Sequence, residues 1–250
     1  MNLCIIPAKA SSTRLAKKNL LPIGGHSLIA HVVYKAFKSN LFDNIVVSSE
    51  SDTILKEAKL YADCITIKRP NYLSKDPSTI GDVCKHVFCE LQQSYNLNYS
   101  YFTVLLPTSP FTSLNDIKRS VEFYKDTSKP LLSVREVSFP YENLRISSEN
   151  SDSISNQIFK GAPFINSKYA TKIQSTDKNR TKLYISNGAI AINSKKNLFT
   201  LGRYTNSDSY LYSMRPNSSI DIDTEDDFLL AKALNLLNPM LGDINLTAKI

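Results

Sequence analysis

Short apolar runs alternate with amphipathic stretches along the first 137 residues of this 250-residue chain, and this order constrains the fold more than any other feature. The apolar runs have the length of strands, and between them apolar side chains recur at the spacing of one helix face. Such alternation predicts a mostly parallel sheet covered by helices. The predicted strands are residues 3–7, 44–48, 64–68, 101–106, 130–137, 187–193 and 210–214. The predicted helices are residues 28–37, 52–61, 80–95, 114–124 and 225–237.

The alternation breaks between about residues 138 and 182, where the sequence is polar and rich in Ser, Asn and Lys. Strand-like sequence resumes at Asn187, so this stretch is interpreted as an inserted subdomain rather than a linker. The prediction is one domain over residues 1–250 that carries this small insertion.

The loop after the first predicted strand, residues 8–19, carries several positive charges and no acid. Ligands of open α/β sheets bind beyond the carboxyl ends of the strands, where this loop lies. Small residues let backbone N–H groups approach an anion, and cations supply full charges, which together suit phosphate. A solvated basic loop is the alternative. The small residues are Ala8, Ala10, Ser11, Ser12 and Thr13, and the cations are Lys9, Arg14, Lys17 and Lys18.

Arg69 follows the strand predicted at 64–68, where its planar fork could bind a base or a phosphate. Farther on, Thr79 and Asp82 have the spacing of a capping box for the next helix. The capping box accounts for these two residues without any ligand, but it does not account for Arg69.

A turn bracketed by prolines, residues 107–110, follows the apolar strand predicted at 101–106. Its hydroxyl residues, Thr108 and Ser109, suit hydrogen bonding to a base or a ribose. An ordinary Ser/Thr turn has the same composition and is the alternative.

Acidic residues alternate with isoleucines in the late segment Ser-Ile-Asp-Ile-Asp, residues 219–223. Side chains alternate in an extended segment, so Asp221 and Asp223 are expected to point the same way, with the isoleucines in the core. Two adjacent carboxylates suit Mg²⁺, which prefers oxygen ligands and shares them with substrate phosphates. The alternative is that both acids only assist a helix cap formed by Thr224 and Asp227.

Together, a cationic loop, a hydrogen-bonding turn and a carboxylate pair are the components of a nucleotidyl transfer site. The cations would hold a triphosphate, and a metal would neutralise charge at the reacting phosphate. Positioning and electrostatics supply most of the catalysis in such a reaction.

Six motifs extend in order along nearly the whole chain: IIPAKASSTRLAKKN, SSESD, RPNYLSKDPSTIGDV, LLPTSP, NGAIAI and SIDIDTEDDF. With them the chain resembles the cytidylyltransferases that activate acidic keto-sugars, and among these the CMP-sialic acid (acylneuraminate, or nonulosonate) group. The resemblance implies a three-layer αβα Rossmann-like nucleotidyltransferase fold with a mostly parallel mixed sheet. It also implies transfer of CMP from CTP to a nonulosonic acid with Mg²⁺, and a homodimer whose inserted subdomain reaches the partner's sugar site.

The loop pattern and the resemblance together assign the site residues. The expected nucleotide-binding residues are Ala8, Lys9, Ala10, Ser12, Asn19, Arg69, Pro107, Thr108 and Ser109. The expected catalytic residues are Arg14, Lys18 and Asp223, the metal ligands Asp221 and Asp223, and the substrate-binding residues Tyr184, Asn187 and Gly188. The sugar carboxylate has four candidate partners that are equally compatible with surface charges: Arg135, Arg145, Lys168 and Arg180.

The chain also departs from the family pattern. In place of the usual residues it has Lys9, Ala10, Ser11, Thr13 and Ala16. Lysine keeps the charge of the usual arginine but loses its two-pronged fork. Two alternatives therefore stay open: a catalytically weak homologue that binds nucleotide or sugar as a regulator, and a Kdo-type cytidylyltransferase. Asn19 and the turn at 107–110 favour the sialic-type branch over the Kdo type.

Composition argues against several other classes of protein. The net charge of +7 favours an anionic ligand, but the charge is spread along the chain without a DNA-binding motif, so no nucleic-acid partner is expected. No apolar stretch approaches the length of a membrane span and the first residues lack a signal-peptide pattern, so a cytoplasmic protein is expected. Four cysteines without CxxC spacing are expected to be buried and reduced: Cys4, Cys64, Cys84 and Cys89.

Overall fold

The computed structural model describes residues 2–138 and 182–237, together with the backbone of two short strands between them. The strands are β1 (Asn2–Pro7), β2 (Pro22–Ile23), β3 (His26–Ser27), β4 (Asn44–Ser49), β5 (Ile65–Lys68), β6 (Tyr101–Leu105), β7 (Leu131–Glu136), β8 (Arg145–Ser147), β9 (Gly161–Pro163), β10 (Tyr184–Ser194) and β11 (Tyr210–Ser213). The helices are α1 (Leu28–Ser39), α2 (Asp52–Lys59), α3 (Ile80–Tyr95), α4 (Leu114–Thr127), α5 (Lys195–Leu201) and α6 (Glu225–Leu237).

Seven strands form one sheet in the order β11-β7-β10-β6-β1-β4-β5. The central strand β1 pairs parallel with β4 and with β6, and β5 pairs parallel with β4. β10 runs antiparallel to β6, which makes the sheet mixed. Because β1, β4, β5 and β6 run the same way, the loops that follow them lie at one edge, which we call the carboxyl edge.

The two faces of the sheet are covered by different helices. Along β1, Cys4 and Ile6 pack against α1, α2 and α4, whereas Leu3 and Ile5 pack against α3 and α5. All four of these side chains are fully buried. This period-two alternation places an apolar core on each face and gives the three layers that the sequence predicts.

The chain divides into two compact units. The larger comprises the residues up to Arg135 and those from Ser186 onward, and the smaller comprises Glu136–Ile185. Within the smaller unit, β8 and β9 pair antiparallel, and the Val137 N–H donates to the Leu183 carbonyl over 2.9 Å. The candidates Arg145, Lys168 and Arg180 lie outside the residues whose side chains the structure describes.

The structure confirms the predicted α/β fold and all the predicted strands and helices, with small differences at their ends. It adds the β2–β3 hairpin and α5, whose sequences are too short for a periodic pattern. Both expected capping boxes are present, at Thr79 with Asp82 and at Thr224 with Asp227. In the part of the chain that is described, no helix combines the length and apolarity that crossing a membrane requires.

The cysteine prediction is right for three residues and wrong for one. Cys4, Cys64 and Cys84 are buried free thiols. Burial raises the pKa of each one, which keeps the thiol protonated and therefore unreactive. Cys89 is also free but lies on the exposed side of α3. The helix alternates a core-facing and a solvent-facing side, and position 89 falls on the latter.

Gly81 allows α3 to approach the chain that follows α5, and we expect Gly81→Ala to destabilise the fold. A Cβ at this position would lie 2.6 Å from the Gly202 carbonyl oxygen, a backbone atom that cannot turn aside. Alanine gains helix propensity of about 1 kcal/mol, but overpacking costs about 1–3 kcal/mol. The difference predicts a net loss of up to about 2 kcal/mol in the free energy of unfolding, measured by urea denaturation.

Cys89→Ala is the matched control because Cys89 is an exposed residue of the same helix. Its effect is expected to stay within about 0.5 kcal/mol. A Gly81→Ala variant that is more stable than the parent by the full propensity gain of about 1 kcal/mol would show that the loop after α5 moves away at no cost.

Candidate functional site

One cleft at the carboxyl edge brings together residues from all four segments that the sequence analysis singled out. Its volume is about 300 Å³. It is lined by Pro7, Lys9, Lys18, Asn19, Arg69, Leu73, Ser74, Lys75, Asp76, Ser78, Thr79, Ile80, Val83, Leu106, Pro107, Thr108, Asp221 and Asp223. We call this the carboxyl-edge cleft, and residues 8–19 and 69–79 its first and second loops.

The cations of the first loop meet the acidic segment directly. Lys18 Nζ lies 2.6 Å from Asp223 Oδ1, and Arg14 Nη2 lies 2.7 Å from Asp223 Oδ2. The Lys18 side chain is largely buried, with 11% exposed, whereas that of Arg14 is 64% exposed. Lys18 is therefore the better placed of the two to act at close range in a partly desolvated site.

Lys18 owes its position to local backbone structure. Lys17 adopts a left-handed conformation at φ 50°, and a 3₁₀ turn, Lys18–Leu20, follows at once. Asn19 in this turn donates from Nδ2 to the Lys9 carbonyl over 2.7 Å, which ties the start of the loop to its end. The Oδ1 atom of Asn19 is buried without a protein partner and belongs to the cleft lining, so it remains available to a ligand donor.

The backbone N–H groups of the first loop do not form the open cradle that the sequence predicts. The Ala8 N–H donates to the Ser48 carbonyl, and those of Ala10 and Ser11 donate to Glu50 Oε1 at 2.7 and 3.4 Å. The Ser12 N–H donates to the Ala10 carbonyl within the loop. Protein acceptors thus occupy these donors, and Ala8, Ala10 and Ser12 are absent from the cleft lining.

Arg69 lines the cleft but is largely committed to protein partners. It is 4% exposed and donates to Ser74 Oγ over 2.9 Å, to the Ser48 carbonyl over 3.3 Å and to Glu50 Oε2 over 3.1 Å. A guanidinium has five N–H donors, so these bonds leave only part of the fork for a nucleotide. Burial lowers the pKa of Arg69, and the charge of Glu50 opposes this shift.

The turn at 107–110 presents one hydroxyl residue to the cleft rather than two. Thr108 and Pro107 line the cleft, and the Thr108 carbonyl accepts from the Ile222 N–H over 2.8 Å, which joins this turn to the acidic segment. Ser109 differs from the expectation: it is 3% exposed, and its Oγ donates to the Asn187 carbonyl over 3.4 Å. The hydroxyl of Ser109 therefore bonds to the protein backbone rather than facing the cleft in this structure.

Asn187, expected to contact substrate, also turns inward. It is 3% exposed, its Nδ2 donates to Met214 Sδ over 3.2 Å, and its Oδ1 accepts from Ser133 Oγ over 2.6 Å. Gly188 follows with φ +69°, a conformation that glycine adopts without strain. A Cβ on Gly188 would lie 3.1 Å from Leu106 Cδ1 and 3.9 Å from Asp221 Oδ2, so Gly188 borders the acidic segment.

Tyr184 is the remaining residue expected to bind substrate. It begins β10, belongs to the smaller compact unit and is 40% exposed. Its assignment stays a prediction.

The acidic segment has the alternation that the sequence predicts. Ile222 is fully buried with Ile220 packed beside it, whereas Asp221 and Asp223 both line the cleft. Burial and the nearby charge of Asp223 raise the pKa of Asp221, although a hydrogen bond with Thr108 opposes this. Burial would also raise the pKa of Asp223, but the hydrogen bond and charge of Lys18 and the charge of Arg14 outweigh it and lower that pKa.

The carboxylate pair fits Mg²⁺ by its chemistry but does not require it. Among the described residues, no group of three or more His, Cys, Asp or Glu side chains could hold a metal ion. Mg²⁺ commonly uses one or two carboxylates and completes its shell with water and substrate phosphates, so Asp221 and Asp223 suffice. Repulsion between the two carboxylates does not by itself demand a metal, because Lys18 and Arg14 already supply positive charge.

Sequence reasoning missed several members of the site. Glu50 and Ser74 were not selected, although Glu50 lies two residues beyond the predicted strand at 44–48, within the SSESD motif. An acid at a strand's carboxyl end, opposite a basic loop, is the signal that could have identified Glu50. Also missed was an apolar wall of the cleft, formed by Leu73, Ile80, Val83 and Leu106.

A mixed α/β sheet with a charged cleft at its carboxyl edge defines the class of the protein as an α/β nucleotidyltransferase fold. The chain belongs to the cytidylyltransferase family, whose model matches residues 3–241. This confirms the family resemblance that the motifs indicate.

Among characterised relatives, the chain is 30% identical over 238 residues to a pseudaminic acid cytidylyltransferase of Campylobacter jejuni subsp. jejuni serotype O:23/36, covering 95% of this chain and 97% of that one. It is 29% identical to a CMP-N,N'-diacetyllegionaminic acid synthase of Legionella pneumophila, covering 94% and 97%. An N-acylneuraminate cytidylyltransferase of Streptococcus agalactiae is 30% identical, with 91% of this chain covered but 51% of the longer relative.

A solved structure of a CMP:2-keto-3-deoxy-manno-octonic acid synthetase complexed with CTP superposes with a TM-score of 0.64 at 15% identity. The match covers 94% of this chain and 98% of that one. At this identity the likeness shows the shared fold.

Proposed function

We propose that the protein transfers CMP from CTP to a nonulosonic acid of the sialic type and releases pyrophosphate. The observation that carries the proposal is the meeting of the cationic first loop with the acidic segment in one cleft, where Lys18 and Asp223 lie 2.6 Å apart. The family and the substrates named for its relatives support CTP and an acidic sugar as the ligands.

In this reaction a hydroxyl oxygen of the sugar attacks the α-phosphorus of CTP. The new O–P bond forms as the bond between the α-phosphorus and the bridging oxygen breaks, pyrophosphate departs with that oxygen, and the hydroxyl proton passes to solvent. The chain's task is to hold the reacting groups in line and to balance charge. When CTP binds, Lys18 and Arg14 would release the Asp223 carboxylate and bind phosphate oxygens instead, because a triphosphate carries the greater charge.

Other cleft residues take supporting roles in the proposal. Lys9 and Asn19 would contact the triphosphate, and the free part of the Arg69 fork, with Thr108, would contact the nucleoside. The apolar wall offers a surface for a base. Asp221 and Asp223 would hold Mg²⁺, which when bound neutralises charge on the phosphates.

The test is incubation with CTP, Mg²⁺ and a panel of neuraminic, legionaminic and pseudaminic acids and Kdo, with pyrophosphate release followed in time. Release with a sialic-type acid is the expected result, lost when EDTA removes Mg²⁺. Release with Kdo alone would support the Kdo-type alternative. Tight CTP binding without release on the whole panel would favour the regulator that the departures at Lys9 and Ala16 suggest.

We further propose a cytoplasmic homodimer in which residues 138–182 mediate dimerisation and contact the sugar. The family resemblance supports this assembly, and the buried free thiols Cys4, Cys64 and Cys84 fit a reducing compartment. Sedimentation of the intact chain tests the assembly: a species of twice the 28.0 kDa chain mass is expected.

A further inference from the structure

A largely buried glutamate joins the two loops that both contribute to the lining of the carboxyl-edge cleft. Glu50 directly follows β4, and its side chain is 11% exposed. Its Oε1 accepts from the N–H groups of Ala10 at 2.7 Å and Ser11 at 3.4 Å in the first loop. Its Oε2 accepts from Ser74 Oγ at 2.6 Å and Arg69 Nη2 at 3.1 Å in the second loop. One carboxylate thus holds both loops.

The Glu50 carboxylate stays ionised in this setting. Burial by itself raises its pKa, but hydrogen bonds from Ser74 and Ala10 and the charge of Arg69 outweigh burial and lower it. Its partner Arg69 has a side chain that is 3% exposed, so the pair is a buried one. Removing one member of a buried ion pair leaves an uncompensated charge, so loss of the Glu50 carboxylate would be costly for the arrangement of the two loops.

The contacts of Glu50 are those that an incoming anion would make. Two backbone N–H groups, a hydroxyl and a guanidinium converge on one carboxylate, as they would converge on a phosphate. Since Glu50 already fills this position, the triphosphate has to use other cations of the cleft lining, among them Lys9 and Lys18.

We propose that Glu50 is a positioning residue for the nucleotide: it fixes the first loop against the second, sets the separation of the cleft walls and directs the triphosphate to Lys9 and Lys18. The ligand in this inference is CTP, so it rests on the proposed function. The role differs from a purely structural ion pair, which would affect folding stability and leave nucleotide affinity unchanged in the folded protein.

The test compares Glu50→Gln with the parent in CTP binding, measured by calorimetry with Mg²⁺, and in the KM values for CTP and sugar. Glutamine keeps the length but is neutral, and its one amide oxygen can accept either from Ser74 and Arg69 or from the Ala10 and Ser11 N–H groups, but not from both sides. Loss of a charged hydrogen-bond partner corresponds to about a tenfold weaker CTP affinity, and the KM for sugar is expected to stay unchanged.

Two further variants sharpen the test. Glu57→Gln is the matched control: Glu57 accepts from Ser27 Oγ over 2.7 Å away from the cleft, and its loss is expected to leave CTP affinity unchanged. If Glu50→Gln does not fold, Glu50→Asp keeps the charge but is one methylene too short to hold both loops, and the same loss of affinity is expected.

Folded Glu50→Gln or Glu50→Asp with CTP affinity within about twofold of the parent would overturn the proposal, since twofold is far below the effect of a lost charged hydrogen bond. An equal rise in the KM values for CTP and for sugar would also overturn the proposal, because it would show that the substitution damages the whole site rather than nucleotide binding. CTP binding needs no sugar, so a parent protein that releases no pyrophosphate would refute the proposed function while leaving this comparison valid.

Discussion

Asp223→Asn is expected to lower turnover by about 100- to 1,000-fold in a protein that still folds and still binds CTP. The carboxylate accepts from Lys18 on one oxygen and from Arg14 on the other, and it is one of the two proposed metal ligands. An asparagine amide has one oxygen and no charge, so one cation loses its acceptor and the metal loses an anionic ligand. The effect should fall on kcat, because charge balance matters most where charge develops in the transition state.

The measurement is steady-state pyrophosphate release, with CTP binding followed separately by calorimetry. Asp226→Asn is the matched control, since Asp226 is an exposed acid in the first turn of α6, three residues beyond Asp223. It makes the same change of charge outside the cleft, and we expect parental activity. Full turnover by Asp223→Asn would show that this carboxylate neither binds the metal nor organises the cations.

The fold was predictable because its signals are local. α3 and α6 begin and end where the sequence places them, since a capping residue starts each helix and apolar side chains recur on one face. The β2–β3 hairpin was missed because two-residue strands have no periodicity to detect. The resemblance implies a mixed sheet, but it did not indicate that β10 is the antiparallel strand, because direction depends on the path of the chain that precedes the strand, where the alternation had already broken.

The site was predictable in outline, because each of its segments follows or neighbours a strand and parallel strands bring their carboxyl ends together. Which groups face the ligand was harder to predict. Lys18 and Asp223 are 205 residues apart, and nothing local indicates that each neutralises the other. Ser109 and Asn187 turn inward, and the Ala10 N–H donates to Glu50. These contacts depend on partners that are far apart in the sequence and meet only in the folded sheet.

Lys18→Met is expected to raise the KM for CTP by about 10- to 100-fold, because a hydrogen bond to a charged group contributes about 1.5–3 kcal/mol. Lys18 has a largely buried side chain in the cleft lining, and an ion pair with little water around it is weakly screened. Methionine keeps the apolar stem and removes only the charge, so the 3₁₀ turn at 18–20 should persist. The readout is the KM for CTP, with the KM for sugar expected to remain at the parental value.

Lys56→Met serves as the control, because Lys56 is an exposed lysine of α2 that is absent from the cleft lining, and the same net charge is lost. A similar rise in KM for both variants would mean that CTP responds to overall charge rather than to contact with Lys18. An unchanged KM in Lys18→Met would mean that the triphosphate does not displace Asp223 from this lysine. The two results separate long-range attraction, which salt screens within a Debye length of about 8 Å, from binding at the loop itself.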